Sequence, residues 1–534
     1  MRVDERVAEE GLVGLRAVGH EVASSRKLAS ESFSIDATWV AAALICIATF
    51  VLHFARAGAY GYQRDELYFI SCARHLAWGY VDQPPLIALI AKAALWLFGD
   101  SLYGLRLLPA IAATATVLVT GRLARRLGGG VFAQVLAMLG IALAPFYLAV
   151  GNLLTMNAFE PLLWTGAAYL FVKADESDSM PLWLALGATS GLGLVNKYTM
   201  FFFLGACVVA IAVTPARRSL VRPGFALAVA VALAIVAPTL GWQAQHGWPQ
   251  LDVLRAAAAH KNVVVGPLTF YLQQILMMNP LAAPIWIAGL ASLLLGRSQL
   301  RWYGFAYVLL SIVYLVLGAK VYYLAPIYPV LFAAGATALA ERLERVRWAT
   351  VAYPALLVIG GLAIAPEAYP LLPLPEFLRY ESVLDVRGIK MEKHPEGVVP
   401  QNFADMLGWN TLVTTVAGAY DRLTPAEQRE AVILTHDYGQ ASAIDFFGPK
   451  YGLPPAISGH NNYYLYGTGG ASGKVVLAIG YDRSLLRTEF RNVEQVAIYR
   501  DRYVLPDFNN LPIYKCTAPI EPLATWWPAA KRYI

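Results

Sequence analysis

Hydrophobic positions in this chain come in long, uninterrupted runs. Runs long enough to cross ~30 Å of hydrocarbon recur over 38–56, 103–122, 131–149, 158–174, 181–196, 198–214, 223–241, 268–296, 302–318, 322–340 and 348–366. They predict about eleven transmembrane helices. Beyond about residue 370 the pattern changes: apolar and polar positions alternate, turn residues are dense, and most of the asparagines fall there. A separate soluble domain follows from that shift. Within it, Thr424, Pro425 and Glu427 form a capping-box signature. Strands are expected over 431–436, 474–481 and 494–500, with a helix over 439–448. Alternating helices and strands predict a small α/β layer.

Arginines orient the runs. The segments "GRLARRLGGG", "TPARRSLVRP", "GRSQLRWYG" and "ERLERVRW" fall on every second connection, as does the basic tail before residue 38. Cytoplasmic loops are the ones enriched in Lys and Arg, so the opposite connections and everything after about Pro366 are expected outside. The tail lacks the apolar core and cleavage site of a signal peptide. Composition agrees with the pattern: 57% hydrophobic, 15% charged and a mean hydropathy of +0.50 describe an integral membrane protein. The net charge of +6 sits in those loop clusters, with no continuous basic face, which excludes nucleic-acid binding. Four scattered cysteines make neither a disulfide framework nor a CxxC metal pair.

The first outer loop carries the candidate chemistry. "GYQRDELYFISCARHLAWGYVDQPPLIALIAK" sets Asp65 and Glu66 side by side next to a membrane. The spacing of Leu67, Ile70, Leu76 and Trp78 predicts an amphipathic helix, and "PLIALIAKAALWLFG" is apolar enough for a second, both lying in the bilayer interface. Capping of the first helix by the two carboxylates is the competing reading. Isolated cations stand at outer ends of spans: Lys197 in "LVNKYTM" and Lys320 in "GAKVYYLAP", the latter followed by Tyr322 and Tyr323. Snorkelling lysines and an aromatic belt are the structural alternatives, against a functional role for ionisable groups at that depth. His246 and His260 flank the long outer loop over 242–267; His246 is a candidate substrate contact. The sequence assigns no cofactor, and one divalent ion held by Asp65, Glu66 and a histidine is a minor alternative.

The order of tail, single span, "RDELYF" in a long outer loop, "DQPPL", a chain of spans and an outer domain resembles the GT-C superfamily of membrane glycosyltransferases, and within it glycosyltransferase family 39. The motifs "FEPLLW", "GLGLVNKYTM" and "KVYYLAPIYPVL" reinforce the likeness, and "DYGQASAIDFFGPKYGLPPAISGHNNYYLYG" resembles a bacterial subgroup. The resemblance implies a mainly α, polytopic GT-C-type membrane protein with a C-terminal soluble α/β domain: tail 1–37, transmembrane domain 38–366 with first outer loop 57–102, and extracytoplasmic domain 367–534. It further implies transfer of a sugar from a polyprenyl-phosphate donor to a lipid, glycan or protein acceptor at the outer face of the cytoplasmic membrane. Asp65 occupies the place of the family's acidic residue, a general base for the acceptor hydroxyl, with Glu66 beside it. Lys197 and Lys320 are then candidates for the departing phosphate, Tyr322 and Tyr323 for sugar or phosphate, and Glu160 for orienting acceptor or sugar. One departure is Gln83, where aminoarabinose transferases carry a lysine before the paired prolines. Two other classes remain: a transporter, which calls for repeats and broken helices that the sequence does not display, and a membrane assembly protein in which the acidic pair is structural.

Overall fold

A computed structural model describes residues 39–296, 300–384, 389–390 and 392–533. The expected cytoplasmic tail, and residues 297–299 of one arginine-bearing loop, lie outside the described residues. Every expected span meets a helical segment. Helix α1 covers Trp39–Ala55, and the loop that follows, expected outside, holds α2 (Arg64–Arg74) and α3 (Leu86–Phe98). Then come α4 (Leu102–Arg126), α5 (Val131–Ala142), α6 (Pro145–Val150), α7 (Met156–Ser177), α8 (Met180–Asn196), α9 (Thr199–Ala212) and α10 (Pro223–Gln245). After α11 (Pro249–Ala256) the membrane part closes with α12 (Pro267–Met277), α13 (Ala283–Leu295), α14 (Arg301–Val316), α15 (Tyr328–Glu344) and α16 (Ala349–Ala368).

By length and apolarity, four of these segments are able to cross a membrane, or up to six if each bent pair is one span. The four are α4, α10, α16 and α15 with the turn from Val321 that leads into it; α7 is 22 residues long but not among them, and the rest are short or interrupted. The run 131–149 divides into α5 and α6 at Pro145, whose ring suits the first turn of a new helix. The run 268–296 bends by 96° between α12 and the segment starting at Pro280. Asn279 turns that corner at φ 66°, and its side chain accepts from the Leu281 N–H at 3.0 Å. The expectation of unbroken helices is therefore corrected: Pro and Asn break two of them.

Close helix packing rests on small residues. Gly289 on α13 and Gly335 on α15 face each other so tightly that a side chain at either would strike the Leu331 or Ile285 carbonyl. At the arginine-bearing face, Arg222 meets Asp175 and Asp178 at 3.5 Å each, which fastens the entrance of α10 to the α7–α8 connection.

The C-terminal region forms a five-stranded mixed sheet ordered β2-β1-β3-β5-β4, with β1 (Ala431–Thr435), β2 (Ala456–Ser458), β3 (Val475–Ile479), β4 (Phe490–Tyr499) and β5 (Leu511–Pro519). Strands β1, β3 and β4 and the Thr424 capping box match expectation. Strand β2 is only three residues long, and β5 carries a proline near each end, so neither has a clear strand pattern.

One expectation about the outer loop fails. From Leu67 to Ala73 every residue of α2 is buried, because the C-terminal helix Tyr438–Phe447 packs against it. Ile70, Cys72 and Ile87 share one core with Ile433, Ala441, Ile444 and Tyr463. Thus α2 is sandwiched rather than laid on the bilayer; Leu76 and Trp78 lie beyond its end, exposed. Helix α3 does have the amphipathic form, with Ala88, Ala91 and Ala94 buried and Leu89, Trp96 and Leu97 outward.

Candidate active site

The two adjacent acids serve different regions. Gln63 caps α2, accepting from the Asp65 N–H at 2.7 Å, while its own N–H donates to Glu66 Oε2 at 2.9 Å. That reciprocal capping box turns Glu66 inward. There Arg106 of α4 donates from Nε at 2.9 Å and from Nη2 at 2.7 Å, and the Leu154 N–H adds a fourth bond at 2.9 Å. Arg106 also donates to the carbonyls of Ala57 and Gly61. Both side chains are fully buried, and a bidentate pair so enclosed and so completely bonded fixes α2 to the membrane helices. Asp65, about 100° further round the helix, is 37% exposed. It accepts from the Tyr438 hydroxyl at 2.7 Å and lies 3.8 Å from Arg64 Nε.

Both candidate lysines already hold a carboxylate. Lys197, in the turn between α8 and α9, donates to Glu160 Oε2 at 3.0 Å and Asn157 Oδ1 at 2.7 Å, and Thr199 donates to the other Glu160 oxygen. Its ammonium is 4.4 Å from the Tyr323 ring centre and 5.3 Å from that of Tyr322, a cation–π distance. Lys320 pairs with Glu392 and stands 5.9 Å from the same Tyr322 ring. Tyr322 therefore has an ammonium from each lysine within 6 Å, and its hydroxyl is in electrostatic reach of Glu392, Glu160 and Asp65. Asp65, Glu160, Lys197, Lys320, Tyr322 and Tyr323 are brought to one place.

Other expected contacts are not. His246 is exposed at the end of α10, stacked 4.0 Å from Trp242, with Nδ1 2.8 Å from the Trp242 carbonyl. Gln83 is buried, its amide 3.4 Å from Cys72 Sγ. Glu66 and His246 do not join Asp65 in a metal-binding arrangement, and among the described residues no group of three or more His, Cys, Asp and Glu is placed to hold an ion.

Three residues that sequence reasoning passed over stand beside this site. Glu392 is buried, 3.4 Å from both Lys261 Nζ and His394 Nε2, and takes the Gln401 amide at 2.9 Å. Burial opposes its charge, yet the His394 bond and the two ammonium groups hold its carboxyl well below the usual range. Asp82, from "DQPPL", accepts from Tyr68 at 2.9 Å and Asn461 at 3.0 Å; burial pushes it up to about 6, against the Tyr68 bond. Tyr438 reaches Asp65 from 373 positions away. The motif "DYGQASAIDFFG" was its only signal in the sequence, and that motif names no role.

A family model described as dolichyl-phosphate-mannose-protein mannosyltransferase matches residues 82–242, a span that begins after Asp65. The lipid A galacturonosyltransferase RgtD of Rhizobium johnstonii is 29% identical over 229 residues, 39% of this chain and 47% of that protein. The chain thus spans about half the length of the curated relative it matches. Among solved structures, ArnT from Cupriavidus metallidurans bound to undecaprenyl phosphate superposes with a TM-score of 0.57 at 15% identity, covering 89% of this chain and 98% of that one. The apo form gives 0.58 at 14% identity, with 90% and 98% covered. The chain thus shares the overall fold of ArnT over about nine-tenths of its length.

Proposed function

We propose that this GT-C chain transfers a sugar from a polyprenyl-phosphate-linked donor to an acceptor at the outer face of the cytoplasmic membrane. The observation that carries the reading is a partly exposed carboxylate, Asp65, in electrostatic reach of Lys320 and Tyr322, with the Lys197 and Lys320 ammonium groups 5.3 and 5.9 Å from the Tyr322 ring centre. An acceptor hydroxyl must lose its proton as its oxygen bonds to the anomeric carbon, and the free Asp65 oxygen takes that proton. The bond from the anomeric carbon to the phosphate breaks, and the phosphate leaves with the electron pair, toward Lys320 and Lys197. Tyr322 and Tyr323 lie against the Lys197 ammonium, where they can contact sugar or phosphate. Glu160 holds Lys197 in position, and Glu66 fixes the helix on which Asp65 sits. His246 has no part in the proposal.

The names of the similar proteins support the donor and favour an acceptor: ArnT is bound to undecaprenyl phosphate, and RgtD is a lipid A galacturonosyltransferase. We accordingly expect a lipid acceptor first, ahead of glycan or protein. The arginine pattern supports a cytoplasmic N-terminus and an outer region after residue 366. The bends at Asn279 and after Ala212 are features that favour transport instead, since broken helices mark transporters. Purified protein in nanodiscs, given radiolabelled undecaprenyl-phosphate sugars and extracted envelope lipids, should yield label in a new glycolipid. Vesicles that accumulate the sugar with no glycosidic product would overturn the assignment.

A further inference from the structure

We propose that Tyr438 is a positioning residue for the transfer step: its phenol donates to one oxygen of Asp65 and leaves the other toward the acceptor. The inference rests on Asp65 being the base. It gives the C-terminal region a direct hand in chemistry otherwise built from the membrane side.

The tyrosine is locked. Its ring lies 4.5 Å from that of Tyr68 and 4.9 Å from that of His460, with the Arg64 guanidinium 5.5 Å from its centre. Its N–H donates to His460 Nδ1 at 3.3 Å, and it opens the helix Tyr438–Phe447, whose N-cap Asp437 forms a capping box with Gln440. Few rotamers survive such packing, so the 2.7 Å bond to Asp65 Oδ1 holds the carboxylate in one orientation. Burial, offset by Arg64 and reinforced by Asp65, keeps the phenol protonated far above neutrality. It is therefore a donor at every working pH. A donor to the charged form of a carboxylate favours ionisation.

Other charges facing this pair are Arg64, Lys320, Asp82, Asp405 and Asp437. All stay in place when only the hydroxyl is removed, so the difference between Tyr and Phe isolates one bond.

The test is the pH profile of kcat/KM for transfer. Tyr438→Phe should move its acid limb up by about 0.5–1 unit and lower kcat by ~3–10-fold, with the donor KM unchanged. Fluorotyrosine at 438, a stronger donor, should move the limb down. Limbs that stay in place in both variants would overturn the proposal, while loss of transfer in Asp65→Asn would still uphold Asp65 as the base. Should Tyr438→Phe fail to turn over, infrared titration of the carboxyls in nanodiscs gives the same answer, with Asp65→Asn assigning the band: an upward shift in Tyr438→Phe supports the proposal, and no shift overturns it.

Discussion

Asp65 and Glu66 are neighbours in sequence but belong to different regions of the molecule. Glu66 faces the membrane helices, sealed with Arg106 and holding no unsatisfied oxygen. Asp65 faces the C-terminal region, with one hydroxyl donor, the Arg64 guanidinium 3.8 Å away and solvent for company. The same carboxyl chemistry becomes an anchor below and a reactive group above. What separates them is the number of donors each environment supplies, since a carboxylate with every lone pair engaged has none left to accept a substrate proton.

That contrast breaks most sharply through stability. Arg106→Leu strands the Glu66 charge in a sealed site and should cost about 3–5 kcal/mol, read as loss of the folded fraction in detergent thermal unfolding. Asp65→Asn, by contrast, should leave unfolding within about 0.5 kcal/mol of wild type. Lys197→Met comes next. It leaves Glu160 buried without its cation, so a lower Tm should accompany a donor KM raised at least about tenfold, a loss of ~1.4 kcal/mol in binding.

Glu392 sharpens the comparison through pH. Its folded-state pKa lies well below the ordinary 4.5, so its contribution to stability is present above about 4.5 and is lost as pH falls. Asp82 and Asp405, raised from 3.8 to about 6 by burial, act with the opposite sign, their contribution being lost as pH rises through about 6. The informative quantity is therefore the difference between Glu392→Gln and wild type. Between pH 6 and 4 the variant should lose less Tm than wild type. The smallest effect belongs to His246→Ala, expected to change kcat/KM less than about twofold, or ~0.4 kcal/mol, because that ring is exposed and stacks on Trp242 of its own helix.

Local elements were legible in both parts, the helical runs of the membrane part and β1, β3, β4 and the Thr424 capping box of the C-terminal region, while the contacts between the parts were obscure. Helical runs, the arginine pattern and the lone lysines are local signals, and each matches a helix or an inter-helix turn. Glu160 and Lys197 lie only 37 positions apart and on the ends of packed helices. Tyr438 and Glu392 come from 373 and 72 positions away from the groups they touch, and no periodicity encodes such a meeting. Helix α2 was misread for the same reason. Its apolar spacing was real, but the surface it covers is protein on nearly all sides, because the C-terminal helix occupies the face that would otherwise meet lipid or water.

Single-turnover sugar transfer by Asp65→Asn, assayed in nanodiscs beside wild type at matched folded concentration, tests the central claim most directly. The account predicts a rate lower by ~10²–10⁴-fold with undiminished donor binding. Transfer at the wild-type rate would contradict it and return Asp65 to the role of a helix-terminal charge.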